Sequence, residues 1–171
     1  MSARDFGLIS AAIALALDQG TKLLLLYVFH FADPGPHEIQ ILPFFNLYMT
    51  WNPGVSYGLF PAKGPVGTAI LVMFSLAAVV LLSYWLWNTK RLVSAVGFGV
   101  VIGGALGNVI DRLVYGKVAD FFHFYVHDYS WYVFNVADCA ITVGAAALIY
   151  NELLRSEPAA DSVDGQTGAE R

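Results

Sequence analysis

Four apolar stretches, each close to the roughly 20 residues that carry a helix across a hydrocarbon layer, run approximately over 6–29, 66–87, 92–113 and 131–154. Inside a bilayer every segment must satisfy its own backbone hydrogen bonds, so these stretches point to a helical bundle. The chain has 171 residues, 57% hydrophobic and only 13% charged, which excludes an ordinary soluble domain. The expected fold is therefore a mainly α membrane protein with four transmembrane helices. A small extracytoplasmic sheet or loop element is expected between spans one and two. Residues 1–155 read as a single membrane domain, and 156–171 as a polar, disordered cytoplasmic tail with little to bury.

The first span begins like a secretory leader, with Arg4, an apolar run and Ala14-Leu15-Ala16. Apolar residues resume after Lys22, so an uncleaved anchor is expected. Arg4, Lys90, Arg91 and Arg155 fall on one side of a four-span arrangement, whereas the opposite loops carry Lys63 and Lys117, with Arg112 at a helix end. The positive-inside bias puts both termini in the cytoplasm and the loops after spans one and three outside. A net charge of −4 gives no reason to expect a nucleic-acid partner. The single cysteine, Cys139, permits no intrachain disulfide and reads as a buried thiol.

The first outer segment alternates turn signals, Asp33-Pro34-Gly35-Pro36 and Asn52-Pro53-Gly54, with β-prone runs over 39–42 and 46–51. Its Tyr48, Trp51, Tyr57 and Phe60 suit the headgroup level, where amphipathic aromatics concentrate. In span three Gly99, Gly103 and Gly107 recur every four residues, which predicts close approach of a neighbouring helix.

Chemistry concentrates in two aspartates beside the spans, Asp120 in Val118-Ala119-Asp120 and Asp138 in Asn135-Val136-Ala137-Asp138. Removing an ionised carboxylate from water costs at least a few kcal/mol, about enough to demand a partner, a shared proton or a reaction. A short connection between spans three and four returns both acids to one membrane face. Two close carboxylates share a proton, so one can deprotonate water while the other polarises a carbonyl. The bland alternative is that each acid caps a helix, as Asp138 can at the start of span four.

Asp18 and Lys22 lie one helical turn apart and are expected to neutralise each other. Asp111 and Arg112 are neighbours whose side chains diverge on a helix, so each needs another partner. Two rival chemistries are present in outline. Gly54-Val55-Ser56-Tyr57-Gly58 matches G-x-S-x-G but follows Asn52-Pro53 in an outer loop, away from any strand-to-helix elbow. Asp120, His123 and His127 have metal-ligand spacing only if the segment is helical. His37-Glu38 lacks the second histidine of H-E-x-x-H.

Five blocks occur in order: 18–22 (Asp-Gln-Gly-Thr-Lys), 52–58 (Asn-Pro-Gly-Val-Ser-Tyr-Gly), 103–112 (Gly-Gly-Ala-Leu-Gly-Asn-Val-Ile-Asp-Arg), 118–121 (Val-Ala-Asp-Phe) and 134–138 (Phe-Asn-Val-Ala-Asp). Together they resemble the motif blocks of lipoprotein signal peptidase, also called signal peptidase II. The resemblance implies a bacterial inner-membrane aspartic endopeptidase that removes signal peptides from diacylglyceryl-modified prolipoproteins and is a target of globomycin. Its catalytic pair falls on Asp120 and Asp138. Its supporting residues fall on Asp18, Lys22, Asn52, Gly54, Asn108, Asp111, Arg112, Asn135 and Ala137. No metal or cofactor is implied, and the expected partners are prolipoprotein, membrane lipid and globomycin-type inhibitors. Two positions depart from the pattern: Tyr57 stands where Phe is expected, and Cys139 where Ser is common.

From the residues alone, the same acids also suit a proton or ion pathway, or a non-catalytic scaffold. The clustering of acids at one face, and the absence of any in span two, favour the enzyme.

Overall fold

The computed structural model describes residues 1–33, 35, 38–54, 64–127 and 129–153. Ser56, Tyr57, Phe60, Lys63, His37 and the 156–171 tail lie outside the described residues. Helix α1 (Ala3–Leu23) starts at a capping box, with Ser2 Oγ accepting from the Asp5 N–H and the Asp5 carboxylate accepting from the Ser2 N–H. It runs directly into a π-helical turn, Leu24–Val28, which buries Leu25 and Leu26. Strands β1 (Glu38–Leu42) and β2 (Phe45–Asn52) follow, then α2 (Gly64–Asn88), α3 (Leu92–Tyr115), strands β3 (Val118–Val126) and β4 (Tyr129–Phe134), and α4 (Val136–Leu153).

Three helical segments are long and apolar enough to cross a membrane, Ala3–Val28, Gly64–Asn88 and Leu92–Tyr115. The fourth helix of the bundle, α4, has 18 residues. The expected start of a fourth span at Trp131 is corrected. Tyr129–Phe134 is a strand, because its aromatic and β-branched residues pair with β3, and the helix begins only where Asn135 caps it.

The expected sheet between spans one and two is real but is half of a larger one. β1 and β2 join β3 and β4 in a four-stranded antiparallel sheet of order β1-β2-β3-β4. The β2–β3 register sets Thr50 opposite Asp120 and Asn52 opposite Val118, with an irregularity between Leu47 and Thr50. The sheet covers the end of α1, where Leu25, Leu26, Phe31, Ala119 and Phe121 form a core. At the other end of the bundle the Arg4 guanidinium lies 4.3 Å from the Trp87 ring centroid, so the start of α1 meets the end of α2.

Helix α3 is central and packs against α1, α2 and α4. Its glycine stripe makes this possible. A Cβ on Gly99 would collide with the Gly7 carbonyl, and one on Gly103 with the Ala11 carbonyl and the Ala14 methyl at 2.8 Å. Gly116, at φ 73, ends the helix in the left-handed conformation, its N–H donating to Arg112 O. Helix α2 is apolar all round and buries only Val72 and Leu86.

Gly99→Ala is expected to destabilise the protein by about 1–3 kcal/mol through overpacking against α1. Gly20→Ala, with nothing within 4 Å of the added methyl, is expected to stabilise it by about 0.5–1 kcal/mol. Thermal unfolding in detergent distinguishes the two signs.

Candidate active site

Asp120 and Asp138 reach the site from different secondary structures. Asp120 projects from β3 and is 1% exposed, while Asp138 sits in the first turn of α4. One side chain joins them. Asn135, fully buried, donates through Nδ2 to Asp120 Oδ1 at 2.6 Å and accepts from the Asp138 N–H through Oδ1 at 3.0 Å. Asp138 Oδ2 in turn accepts from the Asn135 N–H at 3.4 Å. The capping reading of Asp138 is thus correct for one oxygen, in a reciprocal box with Asn135. The other oxygen accepts from Asn108 Nδ2 at 3.1 Å.

The second Asp120 oxygen accepts from Asn52 Nδ2 at 2.9 Å, and the same amide donates to Tyr132 Oη at 2.7 Å. Asn52 is aimed by its own turn, since the Gly54 N–H donates to Asn52 Oδ1 at 2.9 Å. Arg112 closes that turn: Nη2 donates to Gly54 O at 2.8 Å and Nη1 to Asn108 O at 3.2 Å. The divergence expected of Asp111 and Arg112 is observed. Asp111 turns the other way, pairing with Lys22 at 2.9 Å and accepting from the Ala119 N–H at 3.0 Å.

Lys22 also pairs with Asp18 at 2.8 Å, as the helical spacing predicts, and donates to Asn108 Oδ1 at 3.3 Å. Asp18 accepts from the Ala137 N–H at 2.9 Å, which puts every one of the eleven sequence-derived site residues into one connected network. Sequence reading missed two members. Gln19 donates to Asp18 and Asp111, each at 3.1 Å, and its place inside the Asp-Gln-Gly-Thr-Lys block was an available signal. Tyr132 carried no such signal, since only strand pairing brings it to Asn52.

Burial pushes the Asp120 carboxyl up to about 7, and the nearby Asp138 charge pushes it the same way, against the hydrogen bonds from Asn52 and Asn135. An acid poised near neutrality beside a second acid suits general acid–base work. A cavity of about 350 Å³ reaches Asp138. Asn52, Gly54, Asn108, Arg112 and Asp138 line its polar end, and Phe74, Leu82, Val101 and Ile141 its apolar walls. A second cavity, of about 380 Å³, reaches Asp138 past Tyr132 and Cys139.

The metal alternative is corrected. Asp120, His123 and His127 lie on a strand and its end, not a helix, and no group of three potential ligands gathers among the described residues. His123 instead lies 2.8 Å from Asn46 Oδ1 and 2.5 Å from Ser130 Oγ.

A family model described as Signal peptidase (SPase) II matches residues 10–154. The chain belongs to the signal peptidase II family. It is 47% identical over 152 residues to the lipoprotein signal peptidase of Rhodopseudomonas palustris strain TIE-1, covering 86% of this chain and 92% of that one. With the lipoprotein signal peptidase of Beijerinckia indica it shares 46% identity over 165 residues, covering 95% and 98%. A bacterial membrane enzyme structure obtained by the in meso method at 2.3 Å has the same fold, with a TM-score of 0.78 at 24% identity over 92% of this chain and 94% of that chain. A second, at 1.9 Å, superposes with a TM-score of 0.71 at 25% identity, covering 86% and 92%. The chain is therefore a peptidase of bacterial membranes.

Asn135→Ala removes the amide shared by the two acids. Loss of the cap alone costs about 1 kcal/mol, whereas loss of a bond to a charged carboxylate costs about 1.5–3 kcal/mol. Peptidase turnover is expected to fall at least about tenfold with helix content unchanged, as measured by single-turnover cleavage and circular dichroism.

Proposed function

We propose that the protein is an aspartic endopeptidase that cleaves the signal peptide of diacylglyceryl-modified prolipoproteins on the N-terminal side of the lipidated cysteine. The observation that carries this reading is the Asn135 bridge, which ties the buried Asp120 carboxyl to Asp138, an acid at the polar end of an otherwise apolar cavity. One carboxyl is ionised and takes a proton from water, whose oxygen attacks the scissile carbonyl carbon. The protonated partner donates to the carbonyl oxygen. Collapse of the gem-diol breaks the C–N bond: one diol hydroxyl returns its proton to the partner carboxylate, and the departing amine takes the proton that water gave up. Asn52, Asn108 and Asn135 hold the pair, while Arg112 and Gly54 shape the rim where the substrate backbone lies.

A signal peptide is an apolar helix, which suits the apolar walls. Four spans, an inner-membrane location, cytoplasmic termini and an outward-facing site make one consistent arrangement. The basic residues Arg4, Lys90 and Arg91 gather at the end of the bundle opposite the acids. Globomycin-type peptides are expected to occupy the same cavity. The reaction as written uses no metal or cofactor.

The test is cleavage of a diacylglyceryl-modified prolipoprotein by the detergent-purified protein. Asp120→Asn and Asp138→Asn are each expected to lose at least about 10³-fold in kcat, while Ser56→Ala and chelator treatment leave it unchanged. Cleavage by either Asp variant at the wild-type rate would refute the dyad, and loss with Ser56→Ala or chelator would redirect the chemistry to serine or metal.

The raised Asp120 carboxyl sets the sign of the pH dependence. It keeps its proton below about 7 and gives it up above, so kcat is expected to fall on the alkaline side with a midpoint near 7. Stability follows the same sign. The contribution is complete below the free-carboxyl value of 3.8 and is lost as pH rises through about 7. A pH series of initial rates and melting points checks both.

A further inference from the structure

Both proposed catalytic acids end the same tripeptide, Val118-Ala119-Asp120 and Val136-Ala137-Asp138. In both, the alanine is wholly buried, at 0% exposure. In both, its N–H is taken by a buried carboxylate of another element: Ala119 donates to Asp111 Oδ2 on α3 at 3.0 Å, and Ala137 to Asp18 Oδ1 on α1 at 2.9 Å. One tripeptide lies in a strand and the other in the first turn of a helix, so no common secondary structure explains the repetition.

The two carboxylates share Gln19 Nε2, 3.1 Å from each, and one cation, Lys22. Its ammonium lies 2.8 Å from Asp18 Oδ2 and 2.9 Å from Asp111 Oδ2. Its remaining donor goes to Asn108 Oδ1 at 3.3 Å, and Asn108 donates to Asp138 at 3.1 Å. Three routes therefore run from one ammonium to the dyad, two through backbone and one through a side-chain amide. At 2% exposure, Lys22 has no solvent to replace these partners.

We propose that Lys22 is the positioning residue of the dyad. Its ammonium bridges Asp18 and Asp111, and those two carboxylates fix the backbone just ahead of Asp138 and of Asp120. The spacing of the two acids is thus set by a cation whose own donors are all committed elsewhere. The inference rests on reading Asp120 and Asp138 as the catalytic pair. The charged groups around Lys22 come from every packed element: Asp18 on α1, Asp111 and Arg112 on α3, Asp120 on β3 and Asp138 on α4.

Without the ammonium the two facing buried carboxylates repel each other, and uptake of a proton relieves that repulsion. Full-length Lys22→Met, in detergent with a diacylglyceryl-modified prolipoprotein, is expected to lose at least about tenfold in kcat at pH 8 with KM within about twofold. Its activity recovers toward acid pH, moving the optimum downward. Adding Asp111→Asn returns the cluster to its original net charge and keeps an oxygen for the Ala119 N–H, so the double variant regains activity and the wild-type pH profile.

A wild-type rate and profile in Lys22→Met overturns the proposal. So does a uniform loss at every pH that Asp111→Asn does not relieve, because that is the behaviour of a purely structural residue. If Lys22→Met does not survive solubilisation, the double variant decides: folded and active supports the charge balance, folded and inactive overturns it. Asp120→Asn and Asp138→Asn run in parallel, and wild-type cleavage by either one signals failure of the dyad reading itself, separately from any result at Lys22.

Discussion

A charged or polar group held among apolar helices has to find every hydrogen bond inside the protein, and this constraint organises the whole structure. Asp18, Lys22, Asp111, Asp120 and Asn135 are all 2% exposed or less, and among the described residues no buried side-chain nitrogen or oxygen lacks a partner. Desolvating each ion costs several kcal/mol, roughly, so the ions are tolerable only as a mutually satisfied set. The helix packing serves the same end. A Cβ on Gly107 would strike the Asp18 carboxylate, so the glycine stripe of α3 is what lets α1 bring its carboxylate within reach of α4.

The residues around the two acids are amides for a physical reason. Asn52, Asn108 and Asn135 each donate to a carboxylate through Nδ2 while Oδ1 accepts from another group. An amide links groups without adding charge, so it leaves the pair free to exchange a proton. A lysine or arginine bonded directly to both acids would hold both ionised and remove the donor that the proposed reaction needs. The nearest cations, Lys22 and Arg112, are accordingly kept one residue back, on Asp18, Asp111 and backbone carbonyls.

Helices were the most legible part of the sequence because a long apolar run leaves the backbone few alternatives. The i,i+4 pairing of Asp18 with Lys22 and the Gly99–Gly103–Gly107 face follow from local periodicity and were read directly. The sheet was legible only in its first half. That β2 pairs with β3, across more than sixty intervening residues, is a long-range choice that local pattern does not encode. For the same reason residues 131–134 read as the start of a span: their apolar side chains suit lipid as well as a strand, and only pairing with β3 decides. The five motif blocks named the site residues, but not their wiring. Asp111 partnering Lys22 rather than Arg112 depends on which face of α3 meets α1.

Asp18 lies on the first helix and receives the N–H of Ala137 on the last. During synthesis the chain therefore makes one end of this bond long before the other, and the first helix holds an unfilled acceptor until the final segment docks. The two acids, Asn135 and the start of α4 all come late in the chain. The proposed catalytic centre is thus incomplete until the last helix docks, however early the first helices fold.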